Sequence, residues 1–252
     1  MKLETRKKLA YGRCETPENT VKRLEAILGN LYPYELLEQK VAEHLYWAAL
    51  YVDEQNFRSM GKGITAILSR AGALAEAAES LTTRETGLLP GFVTSHQKDL
   101  ADPLRLEDLL SHVSSATPAG IEKVKNQACA HYWADGFSLM TGRTLKVPVE
   151  YVRRISGPNG VASGNRIEEA IVHAIHEIFE RRAHITVLRQ KLVLPTIDPA
   201  TIKHPIIRAQ LDFVRSKGIE VYIKDMSFGG ALPCIGIYFL DPAIPEEFQF
   251  HH

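Results

Sequence analysis

Glu169, Glu177, Glu180 and Arg181 stand close together near the middle of the second half of the chain, in NGVASGNRIEEAIVHAIHEIFERRA (Asn159–Ala183). Glu169, His173, Glu177, Glu180 and His184 recur at steps of three or four. At about 100° per residue such side chains share one broad face of a helix. A carboxylate-rich face meets water, a cation or both. Carboxylates suit a hard ion such as Mg2+, and a guanidinium suits a phosphate. Together they are the two halves of a nucleotide–metal site. A single E-x-x-E-R run is more often a solvated face laced by i,i+4 pairs. Here the pattern comes twice. Gly61–Ser80, GKGITAILSRAGALAEAAES, repeats a Gly-rich turn, a helix and a pair of glutamates three apart, Glu76 and Glu79.

These side chains need elements to hold them. Asn165 is expected to cap the second acidic helix, placed at about 166–187. The first acidic helix is expected over 65–81. Thr16-Pro17 reads as a cap followed by proline at the first helical position, so a helix should run over 17–28. The aromatic and apolar run 46–52 reads as a buried strand. The polar, Pro-containing stretch 82–118 reads as a connecting excursion with one short helix near 106–113. Further expectations are a strand at 147–152, a helix at 204–217 stopped by Gly218, and strands at 220–224 and 232–240 joined by a Phe228-Gly229-Gly230 turn. The domain reading is one domain, with a first half of about 1–80, an excursion of about 82–130 and a second half of about 131–252.

Composition narrows the classes. The 252 residues carry 30 Lys+Arg against 30 Asp+Glu, so no global basic field points to nucleic acid. No apolar run approaches the roughly twenty residues of a membrane span. The N-terminus MKLETRKKLA has charge without an apolar core behind it, which is not a secretory signal. Cys14, Cys129 and Cys234 are odd in number and far apart, against a disulfide framework or a zinc site. Cytoplasm is the expected location.

On its motifs the chain resembles the YcaO domain family. The resemblance runs from about Arg13 onward. Its strongest part reads through Ser156, Asn159, Gly160, Ala162, Gly164, Asn165, Glu169, Ala170, Glu177, Glu180 and Arg181. The tail GIEVYIKDMSFGGALPCIGIYFLDP (Gly218–Pro242) is similar to the strand–turn–strand that follows in the family. The similarity is to stand-alone bacterial members. It implies an α/β (α+β) fold of two related halves, whose acidic helices face a nucleotide cleft beside a mostly antiparallel sheet.

The resemblance also implies ATP and Mg2+ as cofactors and activation of a peptide backbone amide. In such enzymes a nucleophile adds to the peptide carbonyl and the oxyanion attacks the γ-phosphate. Loss of phosphate leaves an azoline or, with a sulfur donor, a thioamide; an accessory role in ribosomal-protein modification also belongs to the family. Carried over residue by residue, Arg13, Thr20, Lys62, Asn165, Glu169 and Arg181 are expected to bind the nucleotide–metal unit. Glu76, Glu79, Glu177 and Glu180 are expected to hold the metal. The implied partners are a peptide or protein substrate and a sulfur-delivering or leader-binding protein, with a homodimer left open. Nucleic acid and membrane are not expected. Three departures count against activity: Gly72 where serine is usual, Ser80 where arginine is usual, and an end at Phe250-His251-His252 where the family continues with an acidic, glutamine-containing helix and an arginine contact.

Two other readings stay beside this one. A non-catalytic relative would use the same fold to bind a peptide or partner. His173 with His176 and Glu177 is a weak transition-metal candidate, since H-x-x-H-E lacks the i,i+4 histidines of helical metalloproteases. Cys129-Ala130-His131 is a poor nucleophile–base pair, because adjacent side chains diverge.

Overall fold

The computed structural model describes residues 3–5, 7–9, 12–53, 56–84, 89–113, 115–126, 130–230 and 232–245. Cys129 and the Phe250-His251-His252 terminus lie outside them. The chain divides into two compact units, one built on Ser80–Val161 and the other on Glu4–Glu79 together with Ala162 onward.

The second of these units begins with α1 (Pro17–Leu31), where Thr16 caps the helix by accepting the Asn19 N–H at 3.3 Å. A meander follows: β1 (Glu35–Ala42), β2 (Leu45–Val52) and β3 (Phe57–Gly63), all antiparallel. Central β2 buries Ala48, Ala49, Leu50 and Val52, so both its faces are covered. Strand β3 alternates, with Phe57, Ser59 and Gly61 inward and Arg58, Met60 and Lys62 outward. The Gly-rich turn expected at 61–63 is therefore the end of a strand. Glycine is required there by close packing. A Cβ on Gly61 would lie 1.9 Å from the Ser69 carbonyl oxygen and 2.3 Å from the Ala73 nitrogen of α2 (Ala66–Arg84). Gly72 is its counterpart, its own ideal Cβ lying 3.2 Å from Gly61 Cα. A serine at 72 would press on that crossing. Ser59 Oγ donates to the Ala73 carbonyl at 2.8 Å across the same seam.

The same unit continues with α6 (Ile167–Gln190), β7 (Thr196–Ile197), α7 (Pro205–Ser216), β8 (Glu220–Asp225) and β9 (Ile235–Leu240). The three strands form an antiparallel sheet in the order β7-β8-β9. Phe228 and Gly229 take positive φ in the expected turn between β8 and β9.

The other unit holds β4 (Val93–Ser95), α3 (Leu106–Leu110), α4 (Pro118–Lys125), β5 (His131–Phe137), β6 (Thr144–Pro148) and α5 (Val149–Ser156). Trp133 anchors it, fully buried, with its indole N–H donating to the Ser95 carbonyl at 2.9 Å. The excursion read from sequence thus carries secondary structure of its own. The strand expected at 147–152 is corrected: β6 ends at Pro148 and a helix starts at Val149. Pro148 has no N–H to continue a ladder, and in an extended conformation it takes the N-cap position of the helix that follows. Among the described residues, the mostly antiparallel sheet of the sequence reading is realised as three three-stranded antiparallel sheets.

Candidate functional site

At the start of α6 the chain makes a tight approach at Gly164, where a Cβ would fall 2.4 Å from the Ala170 nitrogen. Asn165 does not cap the helix as expected; Arg166 holds that position without a side-chain bond. The Asn165 amide is used elsewhere. Its Oδ1 accepts from Thr20 Oγ1 at 2.9 Å and from the Arg23 guanidinium, and its Nδ2 donates to Glu169 Oε1 at 3.3 Å. Those partners fix which end of the amide is oxygen.

Glu169 is the hub. Its Oε1 accepts from Arg13 Nη1 at 3.0 Å, and its Oε2 accepts from the Cys14 backbone N–H at 3.0 Å and the Cys14 thiol at 2.9 Å. The side chain is only 11% exposed. Burial by itself raises the pKa of this carboxyl, but hydrogen bonds from the Cys14 thiol and N–H and from Arg13 outweigh it and hold the pKa at about 2. Burial and the neighbouring Glu169 push the Cys14 thiol up, so Cys14 serves as a neutral donor. The result is a fixed anion framed by Arg13, Thr20, Arg23 and Asn165. Arg13 is about half exposed, so its guanidinium can meet a phosphate as well as Glu169.

This arrangement has a pH signature. A depressed folded pKa means stability present above the unfolded carboxyl value and lost as pH falls towards about 2. Glu169→Gln should therefore cost on the order of 2–3 kcal/mol at pH 7. The gap from wild type should close as pH drops through 4 towards 2, followed by denaturant unfolding. A pH-independent gap would mean that packing, not the charge, is what the substitution removes.

The first acidic pair is committed locally. Glu79 Oε2 accepts the Ser163 N–H at 2.7 Å, tying α2 to the segment that leads into α6. Glu76 Oε2 accepts the Met60 N–H at 3.2 Å. Beside it, Lys62 and Arg58 extend from the outward face of β3 into an open cleft of about 500 Å³, with Glu76 on its wall. Along α6, Arg181 pairs with Glu177 at 3.7 Å. Glu180 lines a different cleft, of about 700 Å³, between α6 and the β8–β9 turn, with Phe179, Ala183, Met226, Phe228 and Cys234.

The structure thus brings Arg13, Thr20, Asn165 and Glu169 into one cluster, Lys62 and Glu76 into a second group, and Glu177 and Arg181 into a third. Among the described residues no three histidine, cysteine or acidic side chains converge as a ready metal cage. That applies to the His173–Glu177 candidate too; His173 Nδ1 lies 3.5 Å from the Ser163 carbonyl. Mg2+ does not demand such a cage, since it keeps water and phosphate oxygens around one or two carboxylates. The donor set present, dispersed carboxylates with Arg13, Arg23, Arg58 and Lys62 nearby, fits that mode. Cys14 and Arg23 were not singled out by sequence. Arg23 was findable, as it lies three residues after Thr20 on the same helix face.

The family model of the ATP- and Mg2+-binding YcaO cyclodehydratase matches residues 60–250 of the chain. The ribosomal protein S12 methylthiotransferase accessory factor YcaO of Escherichia coli is 27% identical over 103 residues, 40% of this chain and 17% of that protein. A heterocyclase solved with substrate and cofactor superposes with a TM-score of 0.74 at 22% identity, over 95% of this chain and 37% of the other. The Methanopyrus kandleri YcaO solved with AMPPCP and Mg2+ superposes with a TM-score of 0.59 at 19% identity, over 85% of this chain and 55% of that one. The chain therefore spans well under two thirds of the length of these relatives.

Proposed function

Given that the chain belongs to the YcaO family, we propose that it binds MgATP and takes part in ATP-dependent activation of a peptide backbone amide. The finer outcome on this reading is an azoline or a thioamide, or an accessory role in modifying a ribosomal protein. The observation that supports it is the Glu169 hub, where motif residues far apart in sequence meet in a network that keeps one carboxylate ionised.

Within this reading Glu169 and Asn165 form the frame, and Arg13 and Arg23 present guanidinium to phosphate. Lys62 and Arg58 add positive charge from β3. Glu177 and Glu180, with Glu76 and Glu79, would supply carboxylate oxygen to Mg2+, and Arg181, beside Glu177, would reach phosphate. Bound ATP would supply the γ-phosphoryl group, with ADP departing, so that the former carbonyl oxygen could leave as phosphate, chemistry that depends on positioning and charge stabilisation rather than on protein acids and bases. Substrate on this reading is a peptide or protein, with a leader-binding or sulfur-delivering partner.

MgATP should raise the melting temperature by more than Mg2+ or ATP alone, since only the complex engages both carboxylates and cations. Differential scanning fluorimetry with the three additions is the test. A flat response to all three would sink the nucleotide reading. It would favour a relative that binds a peptide without ATP, a reading for which the hydrogen bonds already held by Glu76 and Glu79 speak.

A further inference from the structure

The segment that leads into α1 is tied at three points to the start of α6. The Glu4 N–H donates to Glu168 Oε1 at 2.9 Å. Arg13 Nη1, the Cys14 N–H and the Cys14 thiol donate to Glu169. Glu15 Oε1 lies 3.8 Å from the Arg166 guanidinium, and Glu15 Oε2 accepts from Asn19 Nδ2 at 3.3 Å in the first turn of α1. All three ties end within residues 166–169.

Between the outer ties the chain turns back on itself. The Leu9 N–H donates to the Arg13 carbonyl at 2.6 Å and the Gly12 N–H to the Leu9 carbonyl at 3.3 Å, with Gly12 at a φ of 74°. Glycine takes that left-handed φ without strain. Arg13 therefore projects from a short turn whose two flanks are fixed on α6. None of the described residues from 4 to 15 is buried. A segment with no buried side chain, held by a handful of polar ties, opens locally at little cost.

A guanidinium carries five N–H donors in a fixed fork, so Arg13 can give a phosphate its other donors while Nη1 stays on Glu169. A phosphate there adds a tie and removes none. A ligand that binds the fastened form better shifts the segment towards it. By reciprocity, whatever fastens the segment raises the affinity for that ligand.

Resting on the nucleotide reading, we propose that residues 4–15 form a strap which MgATP fastens along its whole length. Glu168 and Glu15 are then positioning residues, which hold Arg13 for the phosphate from outside the Glu169 hub.

Hydrogen–deuterium exchange of the full chain tests this, with MgATP binding followed by calorimetry in parallel. Amides of a segment that opens locally report on the strap rather than on global stability. MgATP should slow exchange at 4–9, as far as nine residues before Arg13, by about threefold or more. Glu168→Ala should abolish that protection and raise the Kd for MgATP about threefold. Glu168→Gln, whose amide oxygen still accepts the Glu4 N–H, should restore both. Glu15→Ala should weaken MgATP binding about twofold, as befits a partly exposed ion pair. Protection confined to 12–15 with MgATP bound would overturn the strap and leave the nucleotide reading standing. So would a Kd unchanged in either alanine variant. Absence of MgATP binding would overturn both. Should Glu168→Ala not fold, the wild-type exchange pattern and Glu15→Ala still decide.

Discussion

Glu180→Gln is expected to erase the thermal stabilisation given by MgATP while leaving the melting temperature without ligand unchanged. Glu180 is exposed and borders the cleft between α6 and the β8–β9 turn, so the fold does not depend on its charge. Glutamine keeps the shape and removes the anion that a hard cation prefers. Affinity for MgATP should fall at least about tenfold, or about 1.4 kcal/mol. ATP binding measured without Mg2+ should be much less affected. Equal MgATP responses in wild type and variant would take Glu180 out of the metal site. The contrast with Glu169→Gln is informative: that substitution lowers stability before any ligand is added, because Glu169 is part of the frame.

Gly61→Ala should be among the most damaging single-methyl additions in the chain. The new Cβ would lie 1.9 Å from the Ser69 carbonyl oxygen and 2.3 Å from the Ala73 nitrogen. Both are helix backbone atoms, so no side chain can rotate away. Strand β3 and α2 must separate, at a cost of roughly 3 kcal/mol or more. The guanidinium-denaturation midpoint reports it directly. A loss under about 1 kcal/mol would show that the seam yields easily. Separation would also carry Lys62 away from Glu76, so the cation cleft and the core would fail together.

Much of the fold was legible where one local signal sufficed. The Thr16-Pro17 cap, the apolar run of β2, the long helical pattern of α6 and the paired runs of β8 and β9 all emerged near their expected bounds. Strand β1 is not legible because ELLEQKVA, half polar and mostly exposed on a sheet edge, lacks a clean alternation. The glycines of β3 suggest a turn by their type alone, whereas Gly61 and Gly63 admit the close approach of a helix. The site divides the same way. Asn165 and Glu169 stood out by motif, but the bonds that define them reach Cys14, Thr20 and Arg23, 142 to 155 residues away in sequence. Local spacing carries no information about such meetings. Likewise the paired E-x-x-E pattern was plain, yet nothing in it foretold that Glu79 would hold the Ser163 N–H.

That bond from Ser163 to Glu79 bears on how the gene can change. The polypeptide that leaves the unit after Glu79 and rejoins it at Ala162 is clasped at its base. Once two ends are held together, the entropy of closing a flexible loop grows only with the logarithm of its length, about 0.6 kcal/mol per doubling. Changes of length in the loops of that segment, where its own core is left intact, should therefore cost the frame around Glu169 little.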